Sequence, residues 1–195
     1  MRLRQRWYGT PFDAVLARVP AGARVVDVGC GFGLLAAALA VEGRRVTGID
    51  LDAGKIARGR ALFGAIPGLD LEEGDLATAA LPACDAVVIC DVLHHLRDPV
   101  VERVLAAAFD RLRPGGVLVV KENDVGPAPK RVLAELVELV AVGGGITHSD
   151  PWRFRSVDEW GAAMRAAGFT VLEARPIGCH GYGRLLPHSL IVGEP

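Results

Sequence analysis

The chain has 195 residues, 51% of them hydrophobic, with 22 basic side chains against 23 acidic ones and a formal net charge of −1. That length holds one α/β domain with a full core and not two sizeable ones, and the apolar content argues against disorder. The near-neutral balance gives no general attraction to nucleic acid, and the longest apolar runs fall short of a membrane span. No signal-peptide core follows the first arginines, so a cytoplasmic protein is expected. Cys30, Cys84, Cys90 and Cys179 show neither C-x-x-C spacing nor neighbouring ligand residues, which predicts reduced, mostly buried thiols and no metal site.

Residues 1–22 read as an N-terminal lid or helix. Arg2, Arg4 and Arg6 alternate with Leu3, Trp7 and Tyr8, and Thr10-Pro11 then opens a helix with Phe12, Val15, Leu16 and Val19 at helical spacing. Two readings stand: a lid whose aromatics, Tyr8 among them, cover a ligand while the arginines meet an anion, or a solvated segment packing one aromatic on the domain. From residue 24 onward strands alternate with helices. Strands are expected at 24–28, 45–50, 69–73, 85–90 and 117–121, and helices at 33–42, 53–63 and 99–112. Gly43 ends the first of these helices, Asp52 caps the second, and Pro114-Gly115-Gly116 stops the third. The run at 85–90 is almost continuously apolar, as suits a strand covered on both faces. Such alternation predicts a parallel, doubly wound sheet that binds its ligands beyond the carboxyl ends of the strands.

Residues 124–155 break that rhythm. An apolar helix at 131–142 leads into Gly143-Gly144-Gly145 and the polar Thr147-His148-Ser149-Asp150-Pro151. An insertion leaving the carboxyl end of the fifth strand can roof a substrate pocket, and its helix could equally be a homodimer face or plain packing. Ser156 and Glu159 then form a capping box for a helix ending near Ala167-Gly168. Two last strands, at 169–175 and roughly 185–192, are separated by too few residues for a crossover helix and should pair antiparallel.

The chemistry concentrates in the strand-turn-helix stretch ARVVDVGCGFGL at 24–35. Glycines at 29, 31 and 33 allow a turn that brings backbone N–H groups against a ligand at a helix N-terminus, where an anionic group is favoured. Asp27 decides which ligand. A carboxylate beside the turn would repel the diphosphate of a dinucleotide, whereas S-adenosylmethionine offers a carboxylate to the amides and an ammonium to Asp27. The spacing G-x-G-x-G followed by Leu34 also departs from the dinucleotide fingerprint. Asp50 ends the second strand about 20 residues beyond the turn, the usual distance for an acid that accepts from a ribose diol. Asp75, in Gly74-Asp75-Leu76, can meet an adenine amino group between the apolar walls of Leu51 and Leu76.

Taken in order, VVDVGCGFG, GID, GDL, DAVVICDVLHHL and RLRPGGVLVV resemble the class I S-adenosylmethionine-dependent methyltransferases over about residues 24–122, and more loosely through FRSVDEW and the final strand pair. The resemblance implies a Rossmann-like α/β fold, doubly wound, with a seven-stranded sheet in which strand seven lies antiparallel between strands six and five. It implies that Asp27, Gly29, Gly31 and Gly33 hold the methionine end, Asp50 the ribose, and Asp75 with Leu76 the adenine; Cys30, Leu51 and Asp91 complete the expected cofactor-binding residues, Leu51 as an apolar wall beside the adenine and Asp91 at the end of strand four. Two departures stand out: almost no helix fits between Asp75 and Asp85, and the lid is short.

A sulfonium is already an activated electrophile, so the protein chiefly has to align an acceptor and exclude water. Asp91, His94, His95, His148 and His180 are candidates for taking up an acceptor proton. His94 and His95 could equally fix the loop after the fourth strand, and Lys121, Glu122 and Asn123 could contact the acceptor or tie down the insertion. The expected activity is methyl transfer to a small molecule, with oxygen the first choice of acceptor atom. The rivals are a nicotinamide-dependent oxidoreductase and a cofactor-binding domain without turnover. Nucleic acid is not expected as acceptor, since strand four lacks an Asn/Asp-Pro-Pro-aromatic turn suited to a flipped base.

Overall fold

The computed structural model describes residues 9–75, 78, 81–126, 128–143 and 153–195. Its elements in chain order are α1 (Phe12–Leu16), β1 (Arg24–Val28), α2 (Leu34–Val41), β2 (Arg45–Asp50), α3 (Ala53–Phe63), β3 (Leu69–Glu73), β4 (Cys84–Cys90), α4 (Asp98–Arg111), β5 (Leu112–Asn123), α5 (Ala128–Gly143), α6 (Val157–Ala166), β6 (Thr170–Ile177) and β7 (His188–Glu194). Short 3₁₀ turns at Leu93–His95 and Gly181–Leu185 complete the chain's described elements.

The seven strands form one sheet in the order β3-β2-β1-β4-β5-β7-β6. β1 to β5 run parallel, and β7 is antiparallel to both β5 and β6. The strand alternation sorts the core onto two faces, because successive side chains of a strand point to opposite sides. Val25, Val46, Val88, Cys90, Val119 and Leu190 meet α1, α2 and α3 on one face. Val26, Val28, Val87, Ile89, Val120 and Ile191 meet α4 and α6 on the other. Strands covered on both sides must be apolar at every position, which is why β4 is buried along nearly its whole length.

Capping follows the expected chemistry. The Asp52 side chain accepts from the Lys55 amide at 3.0 Å, Gly43 takes φ +87° just past α2, and Ser156 with Glu159 closes both bonds of a capping box. The fifth strand differs from expectation. It begins at Leu112 rather than at residue 117, because Leu112 already pairs with Cys84 and Arg113 to Gly116 form an irregular, bulged stretch, with Gly115 at φ +77°, before Val117 pairs with Ala86.

The N-terminal helix α1 is only five residues long and is pinned from outside. Buried Arg44 donates to the carbonyls of Leu16 at 3.2 Å, Val19 at 2.7 Å and Pro20 at 3.2 Å, while Arg18 forms a two-pronged pair with Glu173 on β6 at 3.0 Å. Phe12, 3% exposed, is thereby fixed over the sheet beside the β1 turn. Cys30, Cys84 and Cys90 are buried thiols, and no disulfide forms. Among the described residues no helix is long and apolar enough to cross a membrane.

Candidate active site

The turn after β1 opens on a small cleft lined by Phe12, Asp27, Gly29, Cys30, Phe32, Leu34, Leu35 and Cys90. Gly29, Gly31 and Gly33 all have positive φ, at +73°, +59° and +76°. Two of them also admit close neighbours: a Cβ on Gly29 would stand 2.4 Å from the Val92 side chain, and one on Gly33 would stand 2.7 Å from Leu71. At Gly31 the corresponding space is open. Glycine is therefore required at this turn for its backbone shape and for the approach of Leu71 on β3 and Val92 beyond β4.

The turn amides differ from expectation. Gly29 and Cys30 both donate to the Ile49 carbonyl, at 2.7 and 3.0 Å, Gly33 donates to Cys30 at 2.9 Å, and Gly31 donates to the Asp50 carboxylate at 2.7 Å. These four N–H groups are engaged within the protein rather than bare, because the turn is tied down to the end of β2. Asp50 thus holds the turn as well as standing at the ribose position. Its other oxygen accepts from the Asp52 amide at 2.9 Å, and each carboxylate oxygen keeps a second lone pair with which to receive a diol.

Asp27 lies at the cleft, 2% exposed, on a strand whose neighbours are apolar. A buried carboxylate there suits a cationic group and disfavours a diphosphate. Together with the open side of Gly31 and the acceptors of Asp50, it fits the methionine and ribose parts of S-adenosylmethionine, whose chemistry is that of a methyl group on a positively charged sulfur. Leu51 is 61% exposed at the end of β2 and Asp75 is exposed beyond β3, both on the adenine side of the predicted layout. Leu76, Tyr8 and His148, expected at the adenine, lid and acceptor positions, lie outside the described residues.

Beyond β4 the backbone turns sharply at Asp91, a non-glycine residue at φ +57°. Its carboxylate meets the Lys121 ammonium at 2.5 Å, and its amide donates to the Lys121 carbonyl at 2.9 Å. Burial pushes the Asp91 carboxyl up, but the Lys121 ammonium, helped by His94 and His188, outweighs it and holds the group at about 2. Glu122, fully buried, fastens the rest of the loop. It accepts from the amides of Val92 at 2.9 Å and Leu93 at 2.7 Å and from His94 Nδ1 at 2.5 Å.

The predicted histidines are therefore spread out. His94 is 1% exposed and committed to Glu122, its ring 3.9 Å from that of half-buried His95 and its carbonyl accepting from the Arg153 amide at 2.9 Å. His180 is exposed at the start of the 3₁₀ turn between β6 and β7. The histidine that sequence reasoning missed is His188. It is 3% exposed at the first position of β7; one ring nitrogen bonds the Gly183 carbonyl at 3.1 Å, and Nδ1 is buried with no hydrogen-bond partner among the described residues. Burial, with the Lys121 charge added, lowers its pKa to about 4. The signal was the alternation His188, Leu190, Val192, which puts the imidazole on the core face that α1 covers. The exposed apolar residues of α5, Val132, Leu136, Val137 and Leu139, stand apart from these groups, with Ala134 buried beneath them.

Residues 25–116 match the family model of a methyltransferase domain. The chain is 37% identical over 153 residues to an uncharacterized methyltransferase of Mycobacterium tuberculosis, covering 76% of each chain. It is 41% identical over 101 residues to a ubiquinone biosynthesis O-methyltransferase of Chromobacterium violaceum, covering 49% of this chain and 42% of that one. The fold matches human N-acetylserotonin methyltransferase, solved in complex with SAM, with a TM-score of 0.73 at 20% identity over 98% of this chain and 53% of the human one. The chain thus spans about half the length of the last two proteins. It belongs to the class I S-adenosylmethionine-dependent methyltransferase family, and its cofactor is S-adenosylmethionine.

Proposed function

We propose that this methyltransferase acts on a small molecule and transfers the methyl group to a hydroxyl oxygen. The observation that carries the reading is the run of hydrogen-bond acceptors at the carboxyl edge of the sheet, next to the cleft that holds Asp27. There the exposed His180 ring stands within reach of solvent, with His95 half-buried on the same edge. An acceptor hydroxyl can donate to such groups while its lone pair faces the methyl carbon, and its proton can leave as the new C–O bond forms. Identity to a ubiquinone biosynthesis O-methyltransferase over about half of the chain agrees with oxygen as the acceptor atom. The near-zero net charge speaks against a nucleic-acid acceptor.

The test is a mass-spectrometric screen with S-adenosylmethionine and parallel sets of small phenols and alcohols, small amines, RNA and protein. The expected product is a small hydroxyl compound heavier by one methylene, with the new carbon bonded to oxygen. Methylation only of amines, RNA or protein would contradict the reading. Binding of S-adenosylhomocysteine without transfer to any set would point to a cofactor-binding domain.

A further inference from the structure

We infer that Lys121 is a positioning residue: it is the built-in counter-ion that sets the Asp91 carboxylate at the methionine end of the cofactor site. The inference rests on the methyltransferase reading in taking that cleft as the cofactor's.

Lys121 is an unusual residue to find where it is. The register pairs it with Cys90 on β4 and Leu190 on β7, and both of these belong to the core beneath α1. Its side chain is 1% exposed, so its ammonium has little access to water, and a buried ammonium is tolerated only with a partner of opposite charge. Asp91 is that partner. The carboxylate is the more accessible half of the pair, with 18% of its side chain exposed against 1% for lysine. The pair therefore presents an anion outward and keeps its cation inward.

Asp91 directly follows Cys90, which lines the cleft together with Asp27. Its φ of +57° is a conformation in which a side chain with a Cβ is strained, and strain of this kind persists only where surrounding contacts impose it. Two such contacts come from the same residue: the Lys121 carbonyl accepts from the Asp91 amide, and the Lys121 ammonium donates to the Asp91 carboxylate. Lys121 therefore fixes both the backbone and the side chain of the residue at the cleft's edge. An anion held there faces the ammonium of the cofactor's methionine end, a charge that S-adenosylhomocysteine keeps.

The groups that act on Asp91 are Lys121 from β5, His94 from the turn after β4, His188 from β7 and Cys179 from the loop before β7. His188 stays neutral down to about pH 4 and His94 is bonded to Glu122, so Lys121 is the principal permanent charge opposing the effect of burial. Removing it leaves burial to raise the Asp91 carboxyl.

The test combines carbon-13 NMR of the Asp91 carboxyl in ligand-free protein with calorimetric titration of S-adenosylhomocysteine at pH 5.5 and pH 8, using parent, Lys121→Met, Lys121→Arg and Asp91→Asn proteins. In the parent the carboxyl is expected to stay ionised across this range and the affinity to be the same at both values. In Lys121→Met the carboxyl should titrate upward by about two units or more, and binding should be at least about tenfold weaker at pH 5.5 than at pH 8. Lys121→Arg should restore the parent's pH independence. Asp91→Asn, which does not require removal of the buried lysine, should bind at least about tenfold more weakly than the parent at both values. An unmoved Asp91 titration in Lys121→Met, or parent-like affinity in Asp91→Asn, would overturn the inference. A parent protein that binds no S-adenosylhomocysteine would defeat the methyltransferase reading instead, and the NMR titration would still decide whether Lys121 sets the state of Asp91.

Discussion

His188 shows how a single buried side chain couples this fold to pH. Its imidazole is expected to be neutral in the folded protein down to about pH 4, while in the unfolded chain it protonates near 6.5. Between those values the unfolded state binds more protons, so stability must fall as the pH is lowered through this window. The full effect is about 3 kcal/mol, complete below pH 4 and absent above pH 6.5. Asp91 contributes in the same direction only further down: its stabilisation is lost as the pH falls from near 3.8, where the unfolded carboxyl protonates, to about 2, where the folded one does. Urea unfolding of the parent and of His188→Gln across pH 4 to 7 should show a slope in the parent that the variant largely loses. Equal slopes would mean that His188 is not buried neutral. At this scale the sequence disclosed the residues whose type is unusual for their place: a carboxylate in an apolar strand, Asp27, and one at a strand end, Asp50. It did not disclose that the turn amides bond to Ile49 and Asp50, since that depends on how closely β1 and β2 approach. Nor did it disclose Lys121 and His188 as buried groups, since a charge or imidazole at a core position of an alternating pattern is read as a strand end until the pairing is known.

At the scale of elements, helix α3 locks the glycine turn from behind. A Cβ on Gly59 would stand 2.5 Å from the Phe32 carbonyl oxygen and 2.8 Å from Leu71, so the helix can approach the turn this closely only with glycine there. Gly59→Ala should lower stability by about 1–3 kcal/mol despite alanine's better helix propensity, and should weaken S-adenosylhomocysteine binding because Phe32 and the turn must move. Denaturant unfolding and calorimetry check the two effects. A stabilised variant with unchanged binding would show that α3 does not brace the turn. Most elements were legible because caps and breakers mark them: Asp52 before α3, Gly43 after α2, and Ser156 with Glu159 at α6. The early start of β5 was not, because Pro114-Gly115-Gly116 has the composition of a turn and becomes a strand only through pairing with β4.

At the scale of the whole molecule, the strand order brings β1 and β4 together at the middle of the sheet, with the glycine turn on one and Asp91 beyond the other. The antiparallel β7 is inserted beside β5, which places His188 opposite Asn123 and two register steps from Lys121. The parallel strands and the antiparallel closing pair were legible from the strand-helix rhythm and the short β6–β7 connection, and the place of β7 between β5 and β6 from the resemblance; the meeting of Lys121, Asp91 and His188 was not, because it is a product of that order. The central claim is that Asp27, behind the glycine turn, selects an ammonium-bearing amino-acid tail over a diphosphate. Its most direct test is calorimetric titration of the parent and of Asp27→Asn with S-adenosylhomocysteine, repeated with NAD. The parent is expected to bind S-adenosylhomocysteine and not NAD, and Asp27→Asn to lose about tenfold or more in affinity for S-adenosylhomocysteine while remaining folded. NAD binding in place of S-adenosylhomocysteine, or an Asp27→Asn protein with parent affinity, would contradict it.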